Sequence, residues 1–128
     1  MKQLTLSIKQ KFFDEIVAGV KKQEFREIRP TNSSKYILYI DESGNEYKDY
    51  SVVPEEIELD IKPIAYDTIK FLTGEHKGKR PYAIVEVKGA MIELFEDEKG
   101  NLIKYEYKGK SYIEAQIVYD LGEVIEKP

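Results

Sequence analysis

The sequence contains no cysteine and no tryptophan, and it has one histidine, His76. The lack of cysteine excludes disulfides, thiolate metal sites and a cysteine nucleophile, and it fits a reducing cytoplasm. No zinc-ligand spacing, phosphate-binding loop or dinucleotide fingerprint is present. His76 has no partner motif, and the acidic run at residues 93–98 lacks the spacing of a calcium loop. We therefore expect neither a metal nor a cofactor.

Long apolar runs are also missing. No segment approaches the roughly 20 apolar residues that span a bilayer, and residues 1–13 are interrupted by three lysines, unlike a signal peptide. The hydrophobic fraction of 41% is that of a folded protein, and 128 residues correspond to one domain. We expect a cytoplasmic monomer without a membrane partner, folded as a single domain over residues 1–128.

Charge is unevenly distributed along the chain. Residues 1–35 contain eight Lys/Arg and four Asp/Glu, a net charge of +4, whereas the remainder has 12 basic and 20 acidic residues, a net charge of −8. A basic patch on an acidic body can bind a phosphate-bearing partner locally. The alternative is a solvated surface of mixed charge.

Hydrophobic periodicity predicts many short strands and one clear helix. Phe13, Ile16 and Val17 share one face of a helix over residues 10–18, and Gly19 stands where such a helix ends. Residues 31–34 are predicted as a polar loop. Residues 64–72 are interpreted as extended, because β-branched and aromatic residues dominate, with a helix as the alternative. Further strands are predicted at 4–8, 23–29, 36–40, 57–61 and 82–87, at 91–96 and 102–107 as a hairpin, and at 111–119, with turns at 41–45, 97–101 and 108–110; residues 121–125 end the chain. This pattern predicts an α+β fold, a small mixed β-barrel with one helix packed at its end.

Residues 19–26 hold the densest group of chemically useful side chains. If residues 23–29 are extended, Glu24 and Arg26 lie about 6.5–7 Å apart on one face of the strand. Lys21 and Arg26 can both address a phosphate, and a glutamate between two cations stays ionised, as an acceptor rather than a general acid. The alternative is a surface ion-pair network at a turn.

The spacing Gly19-x-Lys21-x-x-Glu24-x-Arg26 resembles the G-x-K-x-x-E-x-R signature of the ASCH domain family, with four fixed positions in eight residues. The resemblance extends to the strand and helix before the motif, to residues 66–80 and 83–87, and to the closing residues 120–125. It covers most of the chain, with an apparent insertion at about residues 34–57.

This resemblance implies a PUA-like β-barrel with a helix near its mouth and a cleft lined by the motif residues. It also implies binding of RNA or modified nucleosides, to which Gly19, Lys21, Glu24 and Arg26 would contribute. Some small relatives are amidohydrolases acting on acylated cytidine, and another is a ribonuclease. In the amidohydrolase branch a threonine stands where this chain has Glu24, so the chain departs from that branch. If the protein is an enzyme, Lys21 and Glu24 are its candidate catalytic residues.

Other residues are candidates for supporting contacts. Lys70 and Arg80 would add charge to the cleft, and the loop at residues 77–80 could contact a second phosphate, unless it is simply a solvated loop. Bases could stack on tyrosines, whose alternative interpretation is half-buried strand tyrosines. The tyrosine candidates nearest basic segments are Tyr36, Tyr39, Tyr66 and Tyr82.

We therefore expect a domain that binds RNA, a nucleotide or a modified nucleoside. One alternative is a small hydrolase, a nucleoside amidohydrolase or a ribonuclease, using the same cleft. A second is a protein-interaction domain with no small ligand, suggested by the long acidic hairpin in the C-terminal third of the sequence.

Overall fold

The computed structural model describes residues 2–47, 60–74 and 80–128. Strand accounts for 55% and helix for 11% of these residues, so the fold is small and β-rich, as expected in its coarse form. In chain order the elements are β1 (Gln3–Ser7), α1 (Gln10–Val17), β2 (Gln23–Ile28), α2 (Ser33–Tyr36), β3 (Ile37–Ile40), β4 (Glu46–Tyr47), β5 (Asp60–Pro63), β6 (Thr68–Leu72), β7 (Tyr82–Leu94), β8 (Lys104–Tyr107), β9 (Lys110–Ile113) and β10 (Ala115–Glu126).

The chain divides into two compact units. Unit 1 comprises Met1–Glu24, Ala65–Ala90 and Tyr119–Pro128, and unit 2 comprises Phe25–Ile64 and Met91–Val118. The largest sheet has the strand order β1-β6-β7-β10-β2 and is curled as a half-barrel. Each of its five strands contributes residues to unit 1.

Unit 1 is built around alternating apolar residues of paired strands. β1 runs parallel to β6, which runs antiparallel to β7, so that Ile69 lies between Leu4 and Val85 in register. Phe71 lies in the same way between Leu6 and Ala83. Burial of each large apolar side chain contributes about 1.5–3 kcal/mol. The fully buried residues at its centre are Ile69, Phe71, Ala83, Val85 and Tyr119.

The helix of unit 1 follows the prediction closely. Phe13 and Ile16 are buried, as their spacing requires. The helix ends in a Schellman motif: the Val20 amide donates to the Glu15 carbonyl at 2.9 Å, and the Gly19 amide donates to the Ile16 carbonyl at 3.0 Å. Gly19 has a φ of +76°, which L-residues with a side chain adopt only with strain. The glycine therefore ends the helix and turns the chain toward β2.

Unit 2 contains a three-stranded sheet and a separate hairpin. β3 pairs antiparallel with both β4 and β5, and β8 pairs antiparallel with β9. Among the described residues of this unit, those that are buried come from β2, α2, β3, the residue after β5, and the start of β10, namely Ile28, Tyr36, Ile37, Ile64, Ala115, Ile117 and Val118.

Two turns of unit 2 share the pentapeptide pattern D-E-x-G-N and the same hydrogen bonds. In residues 41–45, Asp41 Oδ1 accepts from the Ser43 amide at 3.0 Å and the Asn45 amide at 2.8 Å. In residues 97–101, Asp97 Oδ1 accepts from the matching amides at 2.9 and 3.0 Å. Their glycines have φ of +84° and +82°. Both turns were predicted, and the shared bonds show that this local sequence determines their geometry.

Several predicted boundaries were wrong. Residues 31–34 were predicted as loop, but Ser33–Tyr36 form α2, where the Ser33 amide donates to the Arg29 carbonyl at 2.8 Å. Pro30 ends the strand, and it also starts this turn because the fixed φ of proline suits a helical conformation. The strand predicted at 82–87 extends to Leu94. The strand predicted at 111–119 divides instead at Glu114, into β9 and the start of β10, which continues to Glu126.

The predicted hairpin between residues 91–96 and 102–107 is reduced to a single bridge, Glu96 with Leu102. The strand after that turn pairs onward with β9, because the second turn at residues 108–109 is tight enough to bring the next segment alongside. His76, residues 77–79, the part of the proposed insertion at 34–57 that follows residue 47, and residues 57–59 of the strand predicted at 57–61 lie outside the described residues.

Candidate functional site

A pocket of about 430 Å³ lies in unit 1 at the C-terminal end of α1. Helix, loop and two strands supply its lining: Ile16, Val17, Ala18, Gly19, Lys21, Lys22, Val85, Lys88, Leu121, Gly122, Glu123, Val124 and Lys127. Its apolar base comes from the same side chains that build the core of unit 1, and its polar wall is mainly lysine. The described lining carries four lysines and one glutamate, a net charge of +3.

The loop after α1 brings the first two lysines to the pocket. Beyond Gly19, the Lys21 amide also donates to the Glu15 carbonyl at 3.0 Å, so the backbone of this residue is fixed by the helix end. The partial negative charge of a helix C-terminus favours cations there, which accounts in part for Lys21 and Lys22. It does not account for Lys88 and Lys127, which reach the same pocket from β7 and from the end of β10.

Lys21 is the least exposed of the four pocket lysines. Its side chain is 18% exposed, and its Nζ lies 3.9 Å from Glu24 Oε1 and 5.6 Å from the centre of the Phe12 ring. Glu24 is itself buried, with 6% of its surface exposed. At 3.9 Å the two charged atoms are farther apart than in a hydrogen bond. Glu24 therefore orients the Lys21 ammonium group without binding it tightly. Lys22, Lys88 and Lys127 are exposed to solvent.

Glu24 and Arg26 lie where the strand alternation predicts. Burial along β2 puts Glu24, Arg26 and Ile28 on its more buried face and Phe25, 46% exposed, on the other. Glu24 belongs to unit 1 and Arg26 to unit 2. Within the described residues, neither side chain lines the pocket. The structure therefore brings Gly19, Lys21 and Glu24 together in unit 1.

The wall contributed by β10 is held close to the motif loop. The Leu121 amide donates to the Lys22 carbonyl at 2.9 Å, and Gln23 Nε2 donates to Asp120 Oδ1 at 2.8 Å. Gly122 lies under the side chain of Glu86 in β7: an added Cβ would be 2.0 Å from Glu86 Oε1 and 3.2 Å from its Cβ. Glycine at this position therefore lets the Glu86 side chain lie across β10 beside the pocket.

The two remaining predicted site residues, Lys70 and Arg80, make structural contacts in unit 1. Lys70 Nζ lies 4.4 Å from the centre of the Tyr82 ring. Arg80 donates through Nε to the Thr73 carbonyl and through both terminal nitrogens to Ser7 Oγ, each at 3.3 Å. Neither lines the pocket among its described residues.

Of the four tyrosines considered for base stacking, Tyr36 is buried and Tyr39, Tyr66 and Tyr82 are half-buried. The hydroxyl of Tyr82 donates to Glu126 Oε1 at 2.9 Å, and this bond with the nearby carboxylate charge raises the pKa of Tyr82. Tyr82 thus belongs to a chain of contacts from Lys70 to Glu126.

Sequence reasoning missed three pocket lysines, Lys22, Lys88 and Lys127. Lys22 adjoins the motif and could have been included on that ground. Lys88 and Lys127 are far apart in sequence, and no spacing links them. They meet because β7 and β10 are neighbours in the sheet, and this pairing cannot be read from the local pattern.

The arrangement suits recognition of an anion. Lysine ammonium groups donate to phosphate oxygens as compact charges.

Among the residues that the structure describes, no group of three or more histidine, cysteine, aspartate or glutamate side chains is placed to hold a metal ion. None of the helices in the described ranges is long and apolar enough to cross a membrane.

Comparison with known proteins adds no identification. No family model, curated protein or solved structure matches the chain.

Proposed function

We propose that this protein binds a phosphate-bearing ligand of the nucleotide or RNA class in the lysine-lined pocket of unit 1. The observation that carries the proposal is the convergence of Lys21, Lys22, Lys88 and Lys127 on one pocket from three separate parts of the chain. A solvated charge run comes from one segment, whereas these lysines are assembled by the fold.

The resemblance of residues 19–26 to the ASCH motif supports the choice of ligand class. Two of its fixed residues, Gly19 and Lys21, line the pocket, and a third, Glu24, pairs with Lys21. On this proposal Gly19 sets the turn, Lys21 contacts the ligand, and Glu24 orients Lys21. A barrel of the PUA-like kind, and a cytoplasmic monomer, remain part of the same proposal.

The hydrolase alternative assigns Lys21 and Glu24 to turnover. Its supporting observation is the Lys21–Glu24 pair, which places a carboxylate 3.9 Å from a lysine that reaches the pocket. Glu24 is buried, however, and is not among the described residues that line the pocket, so its geometry fits an orienting role better. Replacing Glu24 by Gln tests this alternative: a hydrolase would lose turnover and keep binding.

The direct test is an NMR titration of ¹⁵N-labelled protein with inorganic phosphate, nucleoside monophosphates, nucleosides including acylated cytidine, and short RNAs. We expect phosphate-bearing probes to shift the amides of residues 18–22 and 121–124, and unphosphorylated nucleosides to shift them less. Ligand signals that change with time would reveal turnover. Shifts confined to other residues, or none, would overturn the pocket assignment.

Charge variants with a matched control sharpen the test. Lys22→Gln, Lys88→Gln and Lys127→Gln should each weaken phosphate binding about two- to fivefold, the range expected for one exposed charge contact. Lys9→Gln makes the same charge change at an exposed residue of unit 1 that is not among the described pocket residues. Equal weakening by Lys9→Gln would show that only net charge matters, which contradicts a built site.

A further inference from the structure

A second surface, in unit 2, combines aromatic rings with positive charge. Register along the β8–β9 hairpin pairs Tyr105 with Tyr112 and Tyr107 with Lys110. Since side chains alternate across a strand, these four side chains share one face of the hairpin. We call it the tyrosine face. The opposite face carries Lys104, Glu106, Ser111 and Ile113.

The Tyr112 ring contacts both other rings of the tyrosine face. Tyr105 and Tyr112 stack with centroids 5.8 Å apart and planes inclined by 25°. Tyr107 meets Tyr112 edge to face at 6.5 Å. All three tyrosines are half-buried, so part of each residue remains accessible to solvent. The result is a connected aromatic platform on a short two-stranded sheet.

Cations surround this platform. The Arg29 guanidinium lies 4.6 Å from the Tyr105 centroid, and Lys108 Nζ lies 5.4 Å from that of Tyr107. Lys110 stands directly opposite Tyr107. Glu27 is paired with Arg29 and raises the pKa of that guanidinium through the hydrogen bond between them. The only acidic side chain of β8 and β9, Glu106, points to the other face.

We propose that the tyrosine face binds single-stranded nucleic acid by stacking unpaired bases on Tyr105, Tyr107 and Tyr112. Aromatic side chains stack any base because every base has a π-face, and neighbouring cations hold the phosphates. Lys108 and Lys110 are placed for that role. Unit 2 has 9 Lys/Arg and 15 Asp/Glu, a net charge of −6, so the cluster of Arg29, Lys108 and Lys110 at the tyrosine face is a basic region on an acidic unit.

The tyrosine face shares no residue with the lysine-lined pocket, and the proposal does not depend on what that pocket binds. Its residues all belong to unit 2, whereas the pocket residues all belong to unit 1. The two assignments therefore predict chemical-shift changes at different amides.

The test is fluorescence anisotropy with a labelled eight-nucleotide RNA, its DNA counterpart and an abasic oligomer of the same length. At about 20 mM salt, where phosphate contacts are strongest, we expect the base-containing strands to bind and the abasic strand to bind more weakly. Tyr112→Leu should weaken binding about five- to 100-fold, and Tyr112→Phe, which keeps the ring, should bind as the natural chain does. Amides of residues 104–113 should shift with the oligonucleotides and not with inorganic phosphate.

Charge variants on the two faces of the hairpin decide the result even if Tyr112→Leu fails to fold. Lys110→Gln lies on the tyrosine face, and Lys104→Gln makes the same change on the opposite face. We expect Lys110→Gln to lower the slope of log affinity against log salt concentration by about 0.7 and Lys104→Gln to leave it unchanged. Equal effects of both variants, equal binding of the abasic strand, or no binding at about 100 µM oligonucleotide would overturn the proposal; in the last case a protein partner becomes the explanation for this face.

Discussion

At the scale of single residues, the motif glycine has a structural task that is complete without any ligand. Gly19 takes a φ of +76° and closes the Schellman motif, and a Cβ added to it would meet no atom within 4 Å. Glycine is therefore required at position 19 by the backbone conformation, and not because a side chain would clash with a neighbour. A sequence signature that includes this residue reports partly on how the helix ends.

Substitution at Gly19 tests that interpretation. We expect Gly19→Ala to lower the free energy of unfolding by about 1 kcal/mol, because alanine is strained at positive φ, and Gly19→Asn to cost less, since asparagine tolerates this region. The measurement is urea denaturation followed by circular dichroism. Gly89→Ala is the control, because Gly89 lacks positive φ and its added Cβ would lie 4.0 Å from Asp120 Oδ2. A cost as large at Gly89 would contradict the conformational explanation.

Gly122 illustrates the opposite, steric requirement. A Cβ there would come within 2.0 Å of Glu86 Oε1 and 3.2 Å of Glu86 Cβ. We expect Gly122→Ala to destabilise the protein by up to about 1 kcal/mol, because the exposed Glu86 side chain must leave this position to make room for the added methyl group. Truncating the obstacle should relieve much of this cost, so the double variant Glu86→Ala with Gly122→Ala should be more stable than the sum of the single changes predicts. Additive effects in denaturant titrations would show that the two positions are not coupled.

At the scale of elements, the turns with the D-E-x-G-N pattern were predictable because their hydrogen bonds are local. Helix α1 was predictable for the same reason, since its buried face and its terminal glycine lie within one short segment. The break between β9 and β10 at Glu114 could not be predicted in this way. The Glu114 amide donates to Ile103 and its carbonyl accepts from Phe95, so its conformation depends on residues that local periodicity does not connect to it.

The same contrast applies to the candidate site. Gly19, Lys21 and Glu24 were recognised from their spacing, and the structure places them together in unit 1. Lys88 and Lys127 were missed because their proximity to the motif follows from the strand order, not from sequence spacing. Lys70 and Arg80 were selected for their charge; they contact Tyr82, Ser7 and Thr73, and neither is among the described residues that line the pocket.

The first D-E-x-G-N turn carries a pH-dependent contribution to stability. Burial raises the pKa of Asp41, but the hydrogen bonds from Asn45, Tyr47 and Ser43 together outweigh it and lower this pKa below its usual value. A lowered folded-state pKa means that Asp41 stabilises the fold above its unfolded pKa of about 3.9, and that this contribution disappears as pH falls through the folded pKa.

Comparison of the natural chain with Asp41→Asn measures this effect. We expect the natural chain to be the more stable at pH 7, and the difference between the two to shrink as pH falls below about 4. Urea midpoints at several pH values supply the measurement. A difference that stays constant down to about pH 2 would mean that the charge of Asp41 contributes nothing, and that only its hydrogen-bonding geometry matters.

At the scale of the whole molecule, charge is divided between the two units. Unit 1 has 11 Lys/Arg and 9 Asp/Glu, a net charge of +2, and unit 2 has a net charge of −6. The uneven charge seen along the sequence thus becomes an uneven charge between compact bodies. Like charges within unit 2 repel, whereas the pocket lysines of unit 1 attract anions.

Salt should therefore act in opposite directions on stability and on binding. Raising the salt concentration from about 20 to about 500 mM shortens the screening length from about 20 Å to about 4 Å. We expect this to raise the unfolding temperature, by relieving repulsion within unit 2, and to weaken phosphate binding at the pocket. Thermal unfolding and the NMR titration measure the two effects on one sample series.

A surface variant distinguishes the effect of the net charge of unit 2 on stability from the effect of its individual ion pairs. Glu98→Gln removes one negative charge from an exposed turn of unit 2, so the stabilisation by salt should become smaller by tenths of a kcal/mol. The ion pairs of Lys62 with Glu46 and of Arg29 with Glu27, also in unit 2, act the other way, because salt screens their attraction. If salt lowers the unfolding temperature, these pairs outweigh the repulsion, and the excess of negative charge in unit 2 is not what limits its stability.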